Sequence, residues 1–406
     1  MPDILSQGGG RELGPWPRRV AVAAAVLVLA VLAIVHYAPR SHPAHPAAAA
    51  TATPSPPSLA DSGAVSGDSA VADEPDGITG QVLSWPDGLR LPAAGQRPAW
   101  FWPATGQVTQ IGGLPAQRFG YQFIRVAGGW AVQGGAVGPC RDCDGPPRPV
   151  YFLTDTGRSA DLVGLADAVA PGTAGTLWLT SYPPDAIAGT VAGTAREVST
   201  TGRQLGPAVG LPAGYVIAQG TGRGLLLAPA TQQSGTMADE LWDPATARSV
   251  RTFGDVIAES ATQIAWAPSC TARCRVQVLN LGTGRQVTVE LPAESSVGSA
   301  SFSPDGRFLA LQLSFGDNDD DGQLAVQLES VSTASGHLTV VPQTWASSDA
   351  LIGFGWPPGS DRLVAELGFT TKVQLASWRP GASRLAIAVL RPQRNPASLV
   401  IGQYGP

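Results

Sequence analysis

The chain has 406 residues, 44% of them hydrophobic and only 14% charged, and its 49 Gly and 36 Pro stop just short of a disorder-prone composition. A net charge of −5 argues against a nucleic-acid binder, because neutralising phosphates requires a basic face. Lys372 is the only lysine and His337 the only histidine outside the first 45 residues, so Schiff-base chemistry has one candidate and a three-His metal site is excluded.

Residues 1–19 carry Arg11, Arg18 and Arg19 and read as a short cytoplasmic tail. Residues 20–38, VAVAAAVLVLAVLAIVHYA, are an apolar stretch of 19. As a helix it would be about 28 Å long, against roughly 30 Å of bilayer core. The arginines in front of it predict a signal anchor with everything downstream extracytoplasmic, a reading preferred over a cleaved signal because the stretch is long and small-x-small sites lie only in the alanine run from Ala47 to Ala50. Residues 39–77 are Ala, Pro, Ser, Thr, Gly and Asp with almost no large apolar side chain, and predict a disordered, partly stiffened linker.

From residue 78 to 406 the pattern changes to short runs of β-branched and aromatic residues between Gly/Pro turns, which predicts an all-β domain. A small turn recurs at Thr105-Gly106, Thr156-Gly157, Thr201-Gly202, Thr246-Ala247, Thr283-Gly284, Ser335-Gly336 and Pro380-Gly381. The second residues of these turns are 51, 45, 45, 37, 52 and 45 apart, the spacing of propeller blades. The sixth unit shows four strands: SASFS, the Pro304-Asp305-Gly306 turn, RFLALQLSF, QLAVQLESV, the Ser335-Gly336 turn, and HLTVVP. SFSPDGRFLALQL in that unit resembles the repeat core of TolB-type and WD40-like β-propellers, and Leu241-Trp242-Asp243 resembles the Trp-Asp pair of WD40 blades. The resemblance implies a seven-bladed β-propeller and says little about function.

Second strands are expected near Val82, Trp130, Leu177, Leu225, Ile264, Leu309 and Val364. Six units have an inner strand before them: QFIRV, DAVAP, GYVIA, DVIAE, SASFS and LIGFG. The first has none, while Ser398 to Gly402 is left over at the other end and is expected to close the ring as the innermost strand of blade one.

Cys140 and Cys143, and Cys270 and Cys274, form two local pairs between second and third strands. In an extracytoplasmic domain they read as two small-loop disulfides; a four-Cys zinc site would need two distant blades to meet, and a redox-active pair usually opens a helix. Gly316-Asp317-Asn318-Asp319-Asp320-Asp321-Gly322 begins like a calcium loop, with Asp317, Asp319 and Asp321 as candidate ligands. The closing ligand is missing, since Leu328 stands at the twelfth position and Glu329 one later, so a solvated acidic loop is preferred over calcium.

No Gly-x-Ser-x-Gly elbow is present, Gly220-Thr-Gly-Arg-Gly224 lacks the following Lys of a phosphate loop, and His337 falls on the outer rim. Trp130, Trp178, Trp266 and Trp378 are expected between blades, and the pair Trp100 and Trp102 to include one ring leaning to solvent. The long loops between second and third strands, at 88–98, 138–148, 182–193, 231–239 and 316–323, would share one face, the expected interaction surface. The leading expectation is therefore a membrane-tethered, non-enzymatic module at the cell envelope that binds a protein, peptide or glycan without a cofactor. The alternatives are an extracytoplasmic glycan or ester hydrolase with acids in the central channel, or a structural role in the envelope.

Overall fold

The computed structural model describes residues 83–94, 96–117, 120–134, 147–183, 186, 190–230, 238–268, 274–315, 325–347, 351–357, 359–368, 373–390 and 399. The chain divides into two units, 1–64 and 65–406, and every described residue belongs to the second. The apolar stretch 20–38 and the linker lie outside the described residues; among those described, no helix is long and apolar enough to cross a membrane.

The described residues form seven sheets in chain order, antiparallel but for one edge strand, a seven-bladed β-propeller. Blade two is Tyr121–Val126, Gly129–Gly134, Arg148–Thr154 and Asp161–Ala166, numbered from the inside outwards. Blade three is Ala168–Pro171, Leu177–Ser181, Gly193–Val198 and Val209–Leu211; blade four is Tyr215–Thr221, Gly224–Pro229, Glu240–Asp243 and Arg248–Thr252. Blade five is Asp255–Glu259, Gln263–Ala267, Arg275–Asn280 and Gln286–Glu290; blade six is Ser295–Phe302, Phe308–Phe315, Ala325–Ser332 and Leu338–Val340. Blade seven is Leu351–Gly355, Leu363–Gly368, Val373–Trp378 and Ala386–Leu390. All seven small turns of the repeat join third to fourth strands, and all six expected inner strands stand first in their blades.

The ring closes at both chain ends. Blade one consists of Leu91–Ala93, Ala99–Trp102 and Gln107–Gln110, and Leu399 bridges antiparallel to Ala93 on the inner edge, the place expected for the C-terminal strand. The second strand of blade one is thus Leu91–Ala93, inside the segment expected to be a loop, and the strand expected near Val82 has another role. Leu83–Ser84 pairs in parallel with Ala386 and Ile387 as a fifth, outermost strand of blade seven. The three-residue strand Leu-Pro-Ala shows no alternation, because all three residues are buried; a period-two search has nothing to find there.

Side chains between the sheets form the core. Trp130 packs with Trp100 and Ile111 of blade one, Trp178 with Leu225 and Leu227 of blade four, Trp266 with Leu226 and Leu241 of blade four, and Trp378 with Val326 and Leu328 of blade six. All four ring systems therefore fill inter-blade space, as expected. In blades four to seven the first strand carries a register shift against the second, between Ile217 and Gln219, Val256 and Ala258, Val297 and Ser299, and Leu351 and Gly353. One extra residue in each of these innermost strands increases the local twist that the narrow centre of a ring demands.

Short turns are held by side chains at fixed places. In Trp242-Asp243 the carboxylate of Asp243 accepts from the Ala245 N–H at 2.9 Å and the Thr246 hydroxyl at 2.8 Å, and these bonds hold its carboxyl below the usual range. Asn280 does the same in blade five, accepting from the Thr283 N–H at 2.9 Å. Asp305 accepts from the Ser303 hydroxyl at 2.7 Å and the Arg307 N–H at 3.0 Å; burial would raise its carboxyl, but these bonds outweigh it and the net shift is downward.

Candidate functional site

A propeller exposes two faces and a central channel, and the first-to-second connections of blades two to seven lie on the face of the short third-to-fourth turns. Most of the long second-to-third loops, on the other face, lie outside the described residues. These include Cys140, Cys143 and Cys270, and the candidate calcium ligands Asp317, Asp319 and Asp321. Cys274, just before the third strand of blade five, is disulfide-bonded. Among the described residues no group of three His, Cys, Asp or Glu could hold a metal ion. Glu329, one position past the twelfth place counted from Asp317, lies in the third strand of blade six and is only 2% exposed. His337 is exposed, as expected, with Nδ1 3.2 Å from the Thr339 hydroxyl.

On the long-loop face, Asp239 is the organising acid. Its backbone carbonyl accepts from the Phe253 N–H at 2.8 Å and its carboxylate from the Val256 N–H at 3.1 Å, which pins the passage from blade four into blade five. Burial pushes its carboxyl up to about 6, with Asp255 adding to the rise. Beside it the Tyr215 hydroxyl donates to Glu240 at 2.8 Å, and burial together with that carboxylate pushes the phenol up to about 12. Glu259, the last residue of the innermost strand of blade five, is raised to about 7 by burial and by the charge of Asp239. Asp167 plays a comparable role between blades two and three, accepting from the Tyr182 N–H at 2.8 Å, while its carbonyl takes a bond from Arg148 at 2.7 Å.

Two more acids have raised carboxyls, both to about 7 through burial alone: Glu329 and Glu366. Neither lies on an innermost strand. Glu329 stands opposite Leu311 and two residues before Val331, on the face of blade six that packs against blade five. Glu366 follows Val364 on the face of blade seven that meets blade one.

On the short-turn face the charged groups are basic as well as acidic. Arg125, near the end of the innermost strand of blade two, reaches the Phe302 carbonyl of blade six, with 3.5 Å between the atoms. Burial lowers its guanidinium to about 10, opposed by the charge of Asp155. Arg90 lies over the Trp100 ring at 3.8 Å, with Trp102 at 5.6 Å, and donates to the carbonyls of Asp155 at 2.5 Å and Gly157 at 3.2 Å. Trp102 is the partly open ring of the pair and Trp100 the buried one. Sequence reasoning singled out neither arginine, because their partners come from other blades. A separate groove of about 410 Å³ on this face lies between blades five and six, lined by Gln263, Asn280, Arg285, Asp305, Arg307 and Thr333 among others.

No family model matches the sequence, and no curated protein does. Solved structures similar to it include TolB from Acinetobacter baumannii, at 10% identity over 73% of this chain and 65% of that one, with a TM-score of 0.36. An acylaminoacyl peptidase is 11% identical over 74% of this chain, with a TM-score of 0.48, and an oligogalacturonate lyase from Vibrio parahaemolyticus is 10% identical over 76% of this chain and 88% of that one, with a TM-score of 0.44. The chain thus spans about two thirds of that TolB and half of that peptidase. The molecule is a seven-bladed β-propeller whose solved structural neighbours include TolB proteins.

Proposed function

We propose that this protein is a binding module, held at the extracytoplasmic side of a membrane by residues 20–38, which engages a protein, peptide or glycan through its long-loop face. The observation that carries this reading is the use made of the acids. Among the described residues four carboxyls are raised to about 6 or 7; Glu329 and Glu366 lie between blades and Asp239 is bonded to two consecutive elements of the backbone, which leaves Glu259 as the one of these four on an innermost strand. Hydrolysis of a glycan by two carboxyl groups needs both free to flank one bond. The Cys140–Cys143 and Cys270–Cys274 pairings would tie two loops of the proposed face. Calcium taken up at Asp317, Asp319 and Asp321 would order a third loop and supply no chemistry.

Photo-crosslinking residues placed singly at Ala186 and Thr190 on the long-loop face, and at Thr246 and Thr283 on the other, should give discrete adducts in intact cells from the first pair only. Adducts confined to Thr246 and Thr283 would overturn the assignment of the face. Protease added outside intact cells should remove the propeller; a fully protected propeller would reverse the proposed topology.

The hydrolase is a second reading because the charge of Asp239 acts on Glu259 and the two carboxyls are raised to about 6 and about 7. It requires Glu259→Gln to abolish turnover of a glycan or ester while leaving the crosslinks intact.

A further inference from the structure

Blades two to seven join their first strand directly to their second along the chain, but blade one, assembled from both ends of the described chain, has no such connection. Beside this position on the short-turn face lie Arg90 of blade one, Arg125 and Asp155 of blade two, and Gly359 of blade seven. The contact of Arg125 with the Phe302 carbonyl, at 3.5 Å, is at the limit for a hydrogen bond, and it is the only one this five-donor group makes among the described residues. Oδ1 of Asp155 is buried and accepts no hydrogen bond, while a Cβ built on Gly359 would lie 3.8 Å from Oδ2. The two charges act on each other. They do not close into an ion pair, since the salt bridges among the described residues, with nitrogen and oxygen within 4.0 Å, are Arg275–Glu290, Arg307–Asp305 and Arg379–Asp361.

A half-buried guanidinium with spare donors stands beside an enclosed carboxylate oxygen with no donor, and that oxygen is costly as it is. A third group that accepts from one and donates to the other would satisfy both. We propose that this site binds a carboxylate carrying a hydroxyl or ammonium group on the neighbouring carbon, the carboxylate on Arg125 and the donor on Asp155. The planar guanidinium fork matches a carboxylate in two parallel bonds. Asp155 disfavours a dianion such as phosphate by direct repulsion, and Arg90 is already engaged with backbone carbonyls and Trp100. The site lies on the face opposite the proposed partner surface and does not rest on that reading.

The test is calorimetric titration of the full-length chain with glycolate, acetate and inorganic phosphate, each to about 100 mM, since a ligand of five heavy atoms binds in the millimolar range. Glycolate should bind saturably and at least tenfold more tightly than acetate or phosphate, and Arg125→Gln should weaken glycolate at least tenfold. Asp155→Asn should bring acetate to within about threefold of glycolate by removing the repulsion; this arm decides the matter if the Arg125 variant fails to fold. Glycine titrated beside glycolate distinguishes the donor: tighter binding of glycine means an α-amino acid, equal or weaker binding a hydroxy acid. No heat with glycolate in the folded wild type would overturn the proposal, as would phosphate binding as well as glycolate, or acetate and glycolate binding alike in both wild type and Asp155→Asn.

Discussion

Replacing Glu329 with Gln is expected to raise the melting temperature by about 5 °C at pH 8.5 and to leave it nearly unchanged at pH 4. Glu329 stands opposite Leu311 on the face of blade six that packs against blade five, 2% exposed, and one oxygen of its carboxyl has no hydrogen-bond partner. No charged group offsets its burial, and the carboxyl moves from an ordinary 4.5 to about 7. A carboxyl raised on folding binds more protons in the folded state than in the unfolded one. Its ionisation therefore costs nothing below about pH 4.5, costs progressively more up to about 7, and reaches a constant penalty of roughly 3 kcal/mol above that. In a domain of this size that penalty corresponds to a few degrees in the melting temperature. Glu366, 8% exposed at the interface of blades seven and one, should behave in the same way, and because the interfaces differ the two effects should add. Melting curves of both single variants and the double variant from pH 4 to 9 provide the measurement. Variants equal to the wild type at pH 8.5, or more stable only at pH 4, would sink the argument.

Deleting Leu399 to Ile401 is expected to lower the melting temperature by 5 °C or more, and Leu399→Ala alone by roughly half of that. Leu399 is 3% exposed and packs with Leu91, Ala93 and Phe101 of blade one and Val364 and Leu375 of blade seven, so it belongs to the seam where the ring closes. Truncating such a leucine typically costs 2 to 5 kcal/mol. Loss of the strand would also leave the inner edge of Leu91–Ala93 unpaired. The N-terminal side of the clasp should matter less. Leu83 is 45% exposed on the outermost edge of blade seven, so Leu83→Ser is expected to change stability by less than about 0.5 kcal/mol. A deletion with unchanged melting temperature would show the C-terminal residues to be a passive tail.

The repeat was legible because local chemistry repeats: each third-to-fourth connection needs a small turn, and its Thr-Gly or Ser-Gly spelling survives where the strands have diverged. Gly284 and Gly336 adopt φ of +73° and +75° there, a conformation that favours glycine. The buried tryptophans were legible for a related reason, since a large ring within a strand of a stacked sheet has only a neighbouring blade to meet. Blade one was misread at its second strand because Leu91–Ala93 is short, buried throughout and contains Pro92, so it lacks the alternation that marks strands. Glu329 and Glu366 could not be read from sequence at all. In strands covered on both faces, alternate positions do not alternate in polarity, and a glutamate there looks like one that faces solvent.

From the sequence alone followed the all-β class, the number of blades, the order of strands within six of them and the C-terminal residue that completes the seventh, because these depend on turns and spacing between near neighbours in the chain. The tertiary structure alone decided that Leu83–Ser84 joins blade seven, that Asp239 is committed to the backbone, and that Arg125, Asp155 and Arg90 gather on one face. Those arrangements join residues from different blades or from opposite ends of the chain, and only closure of the ring sets the distances between them.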